Sequence, residues 1–234
     1  MVRNLKALIP FLVILILITS CDKSDSKASH QVEQRLVFQQ YYASYNANEQ
    51  LFKAQSSFKL NNPSGTSLHL TKNSKVEING NLMEEDYAEN SYVYLYQNSE
   101  EKPKKIAFSY LNNDEQLLTN EVAMPMFELK NKSGLTLAKS KGGQLAFEGA
   151  GFGDDEMLYF SVYRGNDRLY QLESNILSKN IVTIEPETLT EIAAGNYEIQ
   201  FQRVYSSSMV NSLDRGGWID VEYLSKKYKF TITE

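Results

Sequence analysis

The sequence predicts an all-β protein built as two tandem β-sandwiches, and three observations lead there. Apolar and polar residues alternate with a period close to two through almost the whole chain after residue 30, as strands buried on one face require. Clusters of Asn, Gly, Ser and Pro punctuate that alternation at short intervals, where strands turn back. Tyrosine is abundant (15 residues) and tryptophan single, a balance that leans toward strand. The 234 residues, less the 20 before the only cysteine, leave 214, enough for one large or two small domains.

The first element is a leader. Arg3 and Lys6 precede an apolar run, Ala7 to Ile18, of 12 residues broken only by Pro10. That run is too short to span a bilayer comfortably and matches a signal-peptide core. It ends in Ile18-Thr19-Ser20-Cys21, which resembles the bacterial lipoprotein signal, an aliphatic residue and two small ones before a cysteine. The resemblance implies that residues 1–20 are removed and that Cys21 becomes the acylated first residue of a protein held in the cell envelope. At about 0.8 kcal/mol per buried methylene, two or three acyl chains hold a protein essentially permanently. The other reading is a short uncleaved anchor with a free thiol. A single cysteine forms no internal disulfide, so the cores must carry stability.

Residues 21–30, polar and charged from Asp22 to Ser29, read as a flexible tether. An acidic stretch behind the lipidated cysteine also resembles the export signals of surface lipoproteins in the Bacteroidota, which implies the outer membrane and a surface-exposed chain.

Residues 31–125 read as the first sandwich. Phe52, Ala54, Ser56, Phe58 and Leu60 form a core row against the wet row Leu51, Lys53, Gln55, Ser57 and Lys59. Tyr41 to Tyr45 precedes it across Asn46 to Gln50 as a hairpin partner, while Gln31 to Gln40 fits either a helical turn or a strand start. Asn79-Gly80 is the favoured pair for a type I′ hairpin. Val93 and Leu95, then Ile106, Phe108 and Tyr110, then Leu118 and Val122 supply further strands. A boundary is expected near Ala123-Met124-Pro125, because proline bars a central ladder.

Residues 126–234 have their own rhythm. Leu135 and Leu137, Leu145 and Phe147, Leu158 to Val162, Leu169 and Leu172, and Val182 and Ile184 mark successive strands; Tyr197 to Phe201 and Tyr228 to Ile232 are two clean one-sided ones. Leu189 to Ala194 is a short helical candidate leading into Gly195-Asn196-Tyr197. That arrangement is similar to the tyrosine corner of immunoglobulin-like and fibronectin type III sandwiches, in which a tyrosine opening strand F bonds back to upstream backbone. The resemblance implies strands A to G in order from Met126, without the strand tryptophan and cysteine pair of antibody domains.

Candidate chemistry is sparse. The mature net charge, 22 basic against 29 acidic residues or −7, supplies no basic stripe for nucleic acid. There is no G-x-S-x-G elbow and no H-E-x-x-H, and the two histidines fall apart, His30 in the tether and His69 in a strand. Gly149-Ala150-Gly151-Phe152-Gly153 lacks a following helix and reads as a loop rather than a phosphate cradle. Asp154-Asp155-Glu156 offers hard oxygens to calcium, or is a solvated acidic loop; Glu84-Glu85-Asp86 has the bland reading. No cofactor is expected.

The most suggestive motif is Tyr92-Val93-Tyr94-Leu95-Tyr96. If Val93 and Leu95 face the core, the tyrosines form an exposed row able to stack sugar rings or dock a partner; the alternative is that the row packs under a loop or a neighbouring domain. Trp218, behind Asp214-Arg215-Gly216-Gly217, is either a loop-tip contact or a plug in the second core. The whole resembles envelope lipoproteins of the Bacteroidota with tandem sandwiches. The expected role is a binding or structural module without enzymatic activity, partnered by the membrane and by an envelope protein or polysaccharide. The alternative is a glycan-binding or enzyme-accessory lipoprotein using the tyrosine row.

Overall fold

The computed structural model describes residues 26–99, 102–130, 134–149, 153, 156–173, 175–178 and 180–234. The leader, Cys21, the middle of the Gly149–Gly153 loop and the Asp154-Asp155 pair lie outside the described residues. The protein is all-β.

The first segment runs β1 (Lys27–Ala28), β2 (Val37–Asn46), β3 (Leu51–Leu60), β4 (Leu68–His69), β5 (Lys75–Ile78), β6 (Asn81–Leu82), β7 (Glu84–Ala88), β8 (Ser91–Asn98), β9 (Lys105–Leu111) and β10 (Leu117–Ala123). The alternation in β3 is as expected, with Phe52, Ala54, Ser56 and Phe58 buried. Asn79 and Gly80 both take positive φ, +49° and +80°, and close the two-residue β5–β6 hairpin. The ambiguous stretch before β2 forms two short 3-10 turns, Ser29–Gln31 and Gln34–Leu36.

The tether is shorter than residues 21–30. β1 pairs in parallel with β4, Ser29 is fully buried, and His30 Nδ1 lies 2.7 Å from Thr71 Oγ1. The polar composition that suggested a free linker is here satisfied by specific hydrogen bonds.

The second segment runs β11 (Phe127–Leu129), β12 (Leu135–Ala138), β13 (Gly143–Gly149), β14 (Glu156–Arg164), β15 (Asp167–Glu173), β16 (Asn175–Ser178), β17 (Ile181–Ile184), one helical turn α1 (Pro186–Leu189), β18 (Gly195–Ser208), β19 (Gly217–Leu224) and β20 (Tyr228–Thr233). The turn begins earlier than the Leu189 to Ala194 pattern suggested, because Pro186 at its first positions presets the helical φ.

One sheet has the order β11-β13-β17-β16 and its partner runs from β12 through β20 and β18 to β14 and β15. With β11 and β12 as the two parts of strand A, these are the ABED and GFC sheets of an immunoglobulin-like sandwich. Tyr197 opens strand F, is 5% exposed, and donates its hydroxyl proton to the Ala193 carbonyl at 2.8 Å. The Arg164 guanidinium lies 5.1 Å from the centre of its ring and donates to the same hydroxyl at 2.9 Å.

The two segments are not separate bodies, which corrects the expectation of independent domains at residues 31–125 and 126–234. β18 pairs β20 over Gly195–Ile199 and, beyond a switch point, β19 over Gln202–Ser208. Ser225 fills the switch: its hydroxyl accepts from Phe201 N–H at 3.0 Å and its N–H donates to the Phe201 carbonyl at 2.8 Å. β19 then pairs in parallel with β2, Gly217 to Leu224 against Gln39 to Asn46, so a ten-stranded sheet runs through both segments. Proline near 125 did end a strand, but the hairpin arm β18–β19 reaches back into the first sandwich. Asn120 and Asn211 clasp the arm's loop to β10 through Asn120 Nδ2 to the Asn211 carbonyl at 2.7 Å and Asn211 N–H to Asn120 Oδ1 at 2.9 Å.

The large sheet backs two four-stranded sheets. Over β10-β9-β5-β6 it stacks Tyr41 on Phe108 at 4.5 Å and sets Phe58 against Tyr110 at 4.5 Å. Over the ABED sheet it sets Phe201 edge-on to Phe147 at 5.0 Å. Tyr223 of the arm joins the cores, lying 6.0 Å from Tyr45 and 5.5 Å from Phe127.

Candidate functional site

The other face of the large sheet looks outward, and β19, β2 and β3 bring its side chains into register. Strand alternation sends Tyr41 and Tyr45 inward and Gln40, Tyr42 and Ser44 outward. One cross-strand row reads Ser206, Asp220, Tyr42, Gln55, Leu95, Glu84; the adjacent row reads Ser208, Trp218, Gln40, Ser57. Both rows cross from the second segment to the first, so neither segment alone makes this face.

Trp218 and Tyr42 are its aromatic ridges. Trp218 is half-buried and rests edge-on against the buried Phe38, ring centres 5.1 Å apart. Tyr42 is 37% exposed and donates to Glu222 Oε2 at 2.8 Å. Its hydroxyl pKa is pushed up to about 12, chiefly by burial and then by the Glu222 charge. Asp220 is fixed by the Ser206 hydroxyl. From strand spacing and rise, Trp218 and Tyr42 stand about 8 Å apart at their Cα atoms, on adjacent strands two residues out of register.

Three hollows follow the ridges. One of about 410 Å³ lies between Ser206–Ser208 and Trp218. One of about 210 Å³ lies between Trp218 and Tyr42, floored by Gln40, Gln55 and Ser57. One of about 500 Å³ lies beyond Tyr42 among Lys53, Leu82, Leu95 and Gln97. Aromatic planes interleaved with amides, hydroxyls and carboxylates can hold a ligand that alternates apolar faces with hydroxyl groups.

The tyrosine row is inverted relative to expectation. Tyr94 is 5% exposed, and Leu95 is the exposed residue. The Tyr94 hydroxyl accepts from Leu70 N–H at 2.7 Å and donates to Glu85 Oε2 at 3.0 Å, so its polar end is satisfied inside and burial holds its pKa well above the ordinary value. Tyr96 is half-buried with its ring 6.2 Å from Phe52. Tyr92 stacks on the His69 ring at 4.6 Å, and His69 Nε2 lies 2.9 Å from Glu85 Oε2. The three therefore form no exposed row: Tyr94 lies inside the first sandwich, Tyr92 packs on His69, and Tyr96 borders the hollow beyond Tyr42.

Trp218 is the second residue of β19, facing outward, rather than at a loop tip or in the second core. Glu156 is held by Arg203 and Gly153: its Oε2 takes Arg203 Nη2 at 2.5 Å, Arg203 Nε at 3.2 Å and Gly153 N–H at 2.7 Å, and Arg203 is 1% exposed. Among the described residues no three His, Cys, Asp or Glu side chains converge as a metal site. Sequence reasoning missed Tyr42, Gln40, Gln55, Asp220 and Glu222. The signal that could have found them is the alternation of Ile219, Val221 and Tyr223 with Trp218, Asp220 and Glu222.

Fold and face together define a sandwich-built all-β protein with an exposed polar-aromatic sheet surface. No family model matches the chain, and no curated protein sequence does. Among solved structures the chain is similar to SGBP-B of the mixed-linkage glucan utilization locus of Bacteroides ovatus, in complex with a mixed-linkage heptasaccharide, at 10% identity and a TM-score of 0.25, over 89% of this chain and 47% of that one. It is also similar to murine CEACAM1b at 10% identity and a TM-score of 0.22, over 84% of this chain and 100% of that one. The chain thus spans about half the length of the SGBP-B structure. At those scores neither likeness bears on the fold or the face, which rest on strand pairing and side-chain geometry.

Proposed function

We propose that the protein is a non-enzymatic glycan-binding module of the bacterial cell envelope, held in the membrane by acyl chains on Cys21. Its binding surface is the outer face of the large sheet. The observation that carries the reading is the pair of ridges, Trp218 and Tyr42, set over a floor of Gln40, Gln55 and Ser57. Each ring offers a plane to a pyranose, and the amides and hydroxyls between them match sugar hydroxyls. The ligand is a neutral polysaccharide, because Asp220, Glu222, Glu84 and Asp86 outnumber Lys53 and Lys59 on this face and would repel an acidic one. The proposal includes no catalytic step, and the chain carries neither G-x-S-x-G nor H-E-x-x-H.

The test is a neutral-polysaccharide panel run on the full chain in detergent. Trp218→Ala is expected to weaken binding at least about tenfold, about 1.4 kcal/mol, with a melting temperature near that of the parent. Tyr42→Phe, which keeps the ring and loses the bond to Glu222, should cost only a few-fold. Unchanged binding in Trp218→Ala, or no binding across the panel, overturns the reading. Fatty-acid labelling that persists in Cys21→Ser would overturn the anchor.

A further inference from the structure

A second hollow lies at the far end of β18, where the outward Glu198 and Lys229 meet Arg164, which reaches from the Tyr197 side of the strand. Residues of even number from Asn196 to Ser208 share one side of that strand. Glu198 and Ser206 are therefore about 26 Å apart along a single rigid element. Around Glu198 lies a hollow of about 480 Å³, the size of a small-molecule site. It is lined by Tyr163, Arg164, Asn196, Lys229 and Thr231, with backbone from Gly134 and Gly165 at its rim.

Its cations have aromatic and hydroxyl partners but, among the described residues, no ion pair. Arg164 is anchored on Tyr197, through the hydroxyl and over the ring, which fixes the guanidinium without neutralising it. Lys227 Nζ sits 3.9 Å from the centre of the Tyr163 ring. Lys229 is exposed and faces Glu198 across the β18–β20 ladder. Among the described residues no carboxylate comes within ion-pair distance of Arg164, Lys227 or Lys229. Two cations, Arg164 and Lys229, line the hollow against one carboxylate, Glu198, a local excess of positive charge in a chain of net charge −5. A guanidinium held flat and open is suited to bidentate carboxylate recognition.

We propose that this hollow binds the carboxylate of an acidic sugar, a uronic acid residue, as a subsite separate from the neutral-glycan ridges. The saccharide part of the assignment rests on the reading of the face as glycan-binding; the anion part rests on Arg164 and Lys229. Asn196 and Thr231, already bonded to each other at 2.9 Å, present further polar atoms for ring hydroxyls.

The experiment is calorimetric titration of the full chain in detergent with tri-galacturonate, a neutral trisaccharide and an oligoglutamate peptide of matched charge. Tri-galacturonate is expected to bind, to weaken at least about tenfold in Arg164→Gln and in Lys229→Gln, and to weaken as salt rises from about 50 to about 500 mM. Lys229→Gln should leave neutral-sugar binding unchanged, and Trp218→Ala should leave tri-galacturonate binding unchanged. Because Arg164 also braces Tyr197, the exposed Lys229→Gln variant keeps the test decisive if Arg164→Gln folds poorly. Tri-galacturonate binding that is absent, or indifferent to Lys229→Gln, overturns the site. Oligoglutamate binding as tightly as tri-galacturonate overturns its assignment to a sugar. Loss of neutral binding alone, in every form of the chain, counts against the Trp218 and Tyr42 ridges and not against the cationic hollow.

Discussion

The two sandwiches bury polarity in different ways. The first keeps tyrosines inside: Tyr41, Tyr94 and Tyr110 line its core, with Tyr41 donating to the buried Gln39 at 2.9 Å and Tyr94 bonded to Leu70 and Glu85. The second packs Phe127, Phe147, Phe160 and Phe201 beside the buried Tyr197, Tyr223 and Tyr228, and adds a buried ion pair, Arg203 with Glu156. Many neutral hydroxyls spread the desolvation cost over several modest hydrogen bonds. An ion pair concentrates that cost on charged groups, where loss of either partner leaves a buried charge.

That contrast predicts where each half is fragile. Arg203→Met should be the most damaging single change, about 3 to 5 kcal/mol in a urea melt, because Glu156 is left unpaired. Adding Glu156→Leu should restore most of it. A single variant within error of the parent would mean the pair is not the keystone of the second sandwich. Tyr197→Phe should cost less, about 1 to 3 kcal/mol, since the Ala193 carbonyl loses its donor while the ring stays packed over Phe230. A Phe variant equal to the parent would remove the tyrosine corner as a stabilising element.

The smallest effect sits in the first sandwich and appears only in alkali. Burial raises the Tyr110 hydroxyl from 10.0 to about 12 and holds Tyr41 well above its ordinary value. The folded state thus keeps protons that the unfolded chain releases. Stability from these groups is complete below about pH 10 and is lost as pH rises toward 12. Tyr110→Phe should flatten the decline in that window, followed by tyrosinate absorbance alongside the melt. An identical pH slope in the variant would show that Tyr110 does not supply it.

Sequence pattern carried the local part of this architecture well. Asn79-Gly80 specified its hairpin because few residues tolerate two positive φ values in succession, and Tyr197 announced the F strand through Gly195. Alternation says which residues share a face but not which face is inward. For Tyr92 to Tyr96 that choice was decided by Leu70 and Glu85, partners 24 and 9 positions from Tyr94 that no local window contains. Trp218 was obscured by Gly216-Gly217, which read as a flexible turn although Gly217 starts β19. The binding face was the least legible, since it exists only where β19 meets β2.

The β19–β2 ladder also sets a schedule for the chain. The hydrogen bond between Tyr42 and Glu222 spans 180 positions, so the large sheet has a high contact order and closes only after nearly the whole polypeptide is available. Until then β2 presents an unpaired strand edge, and the first sandwich stays open along that edge. During synthesis, amino terminus first, that edge stays open until the last forty residues are available, roughly the span from β18 to the carboxyl terminus. Clipping the carboxyl-terminal strands would thus unlock both sandwiches together instead of trimming one.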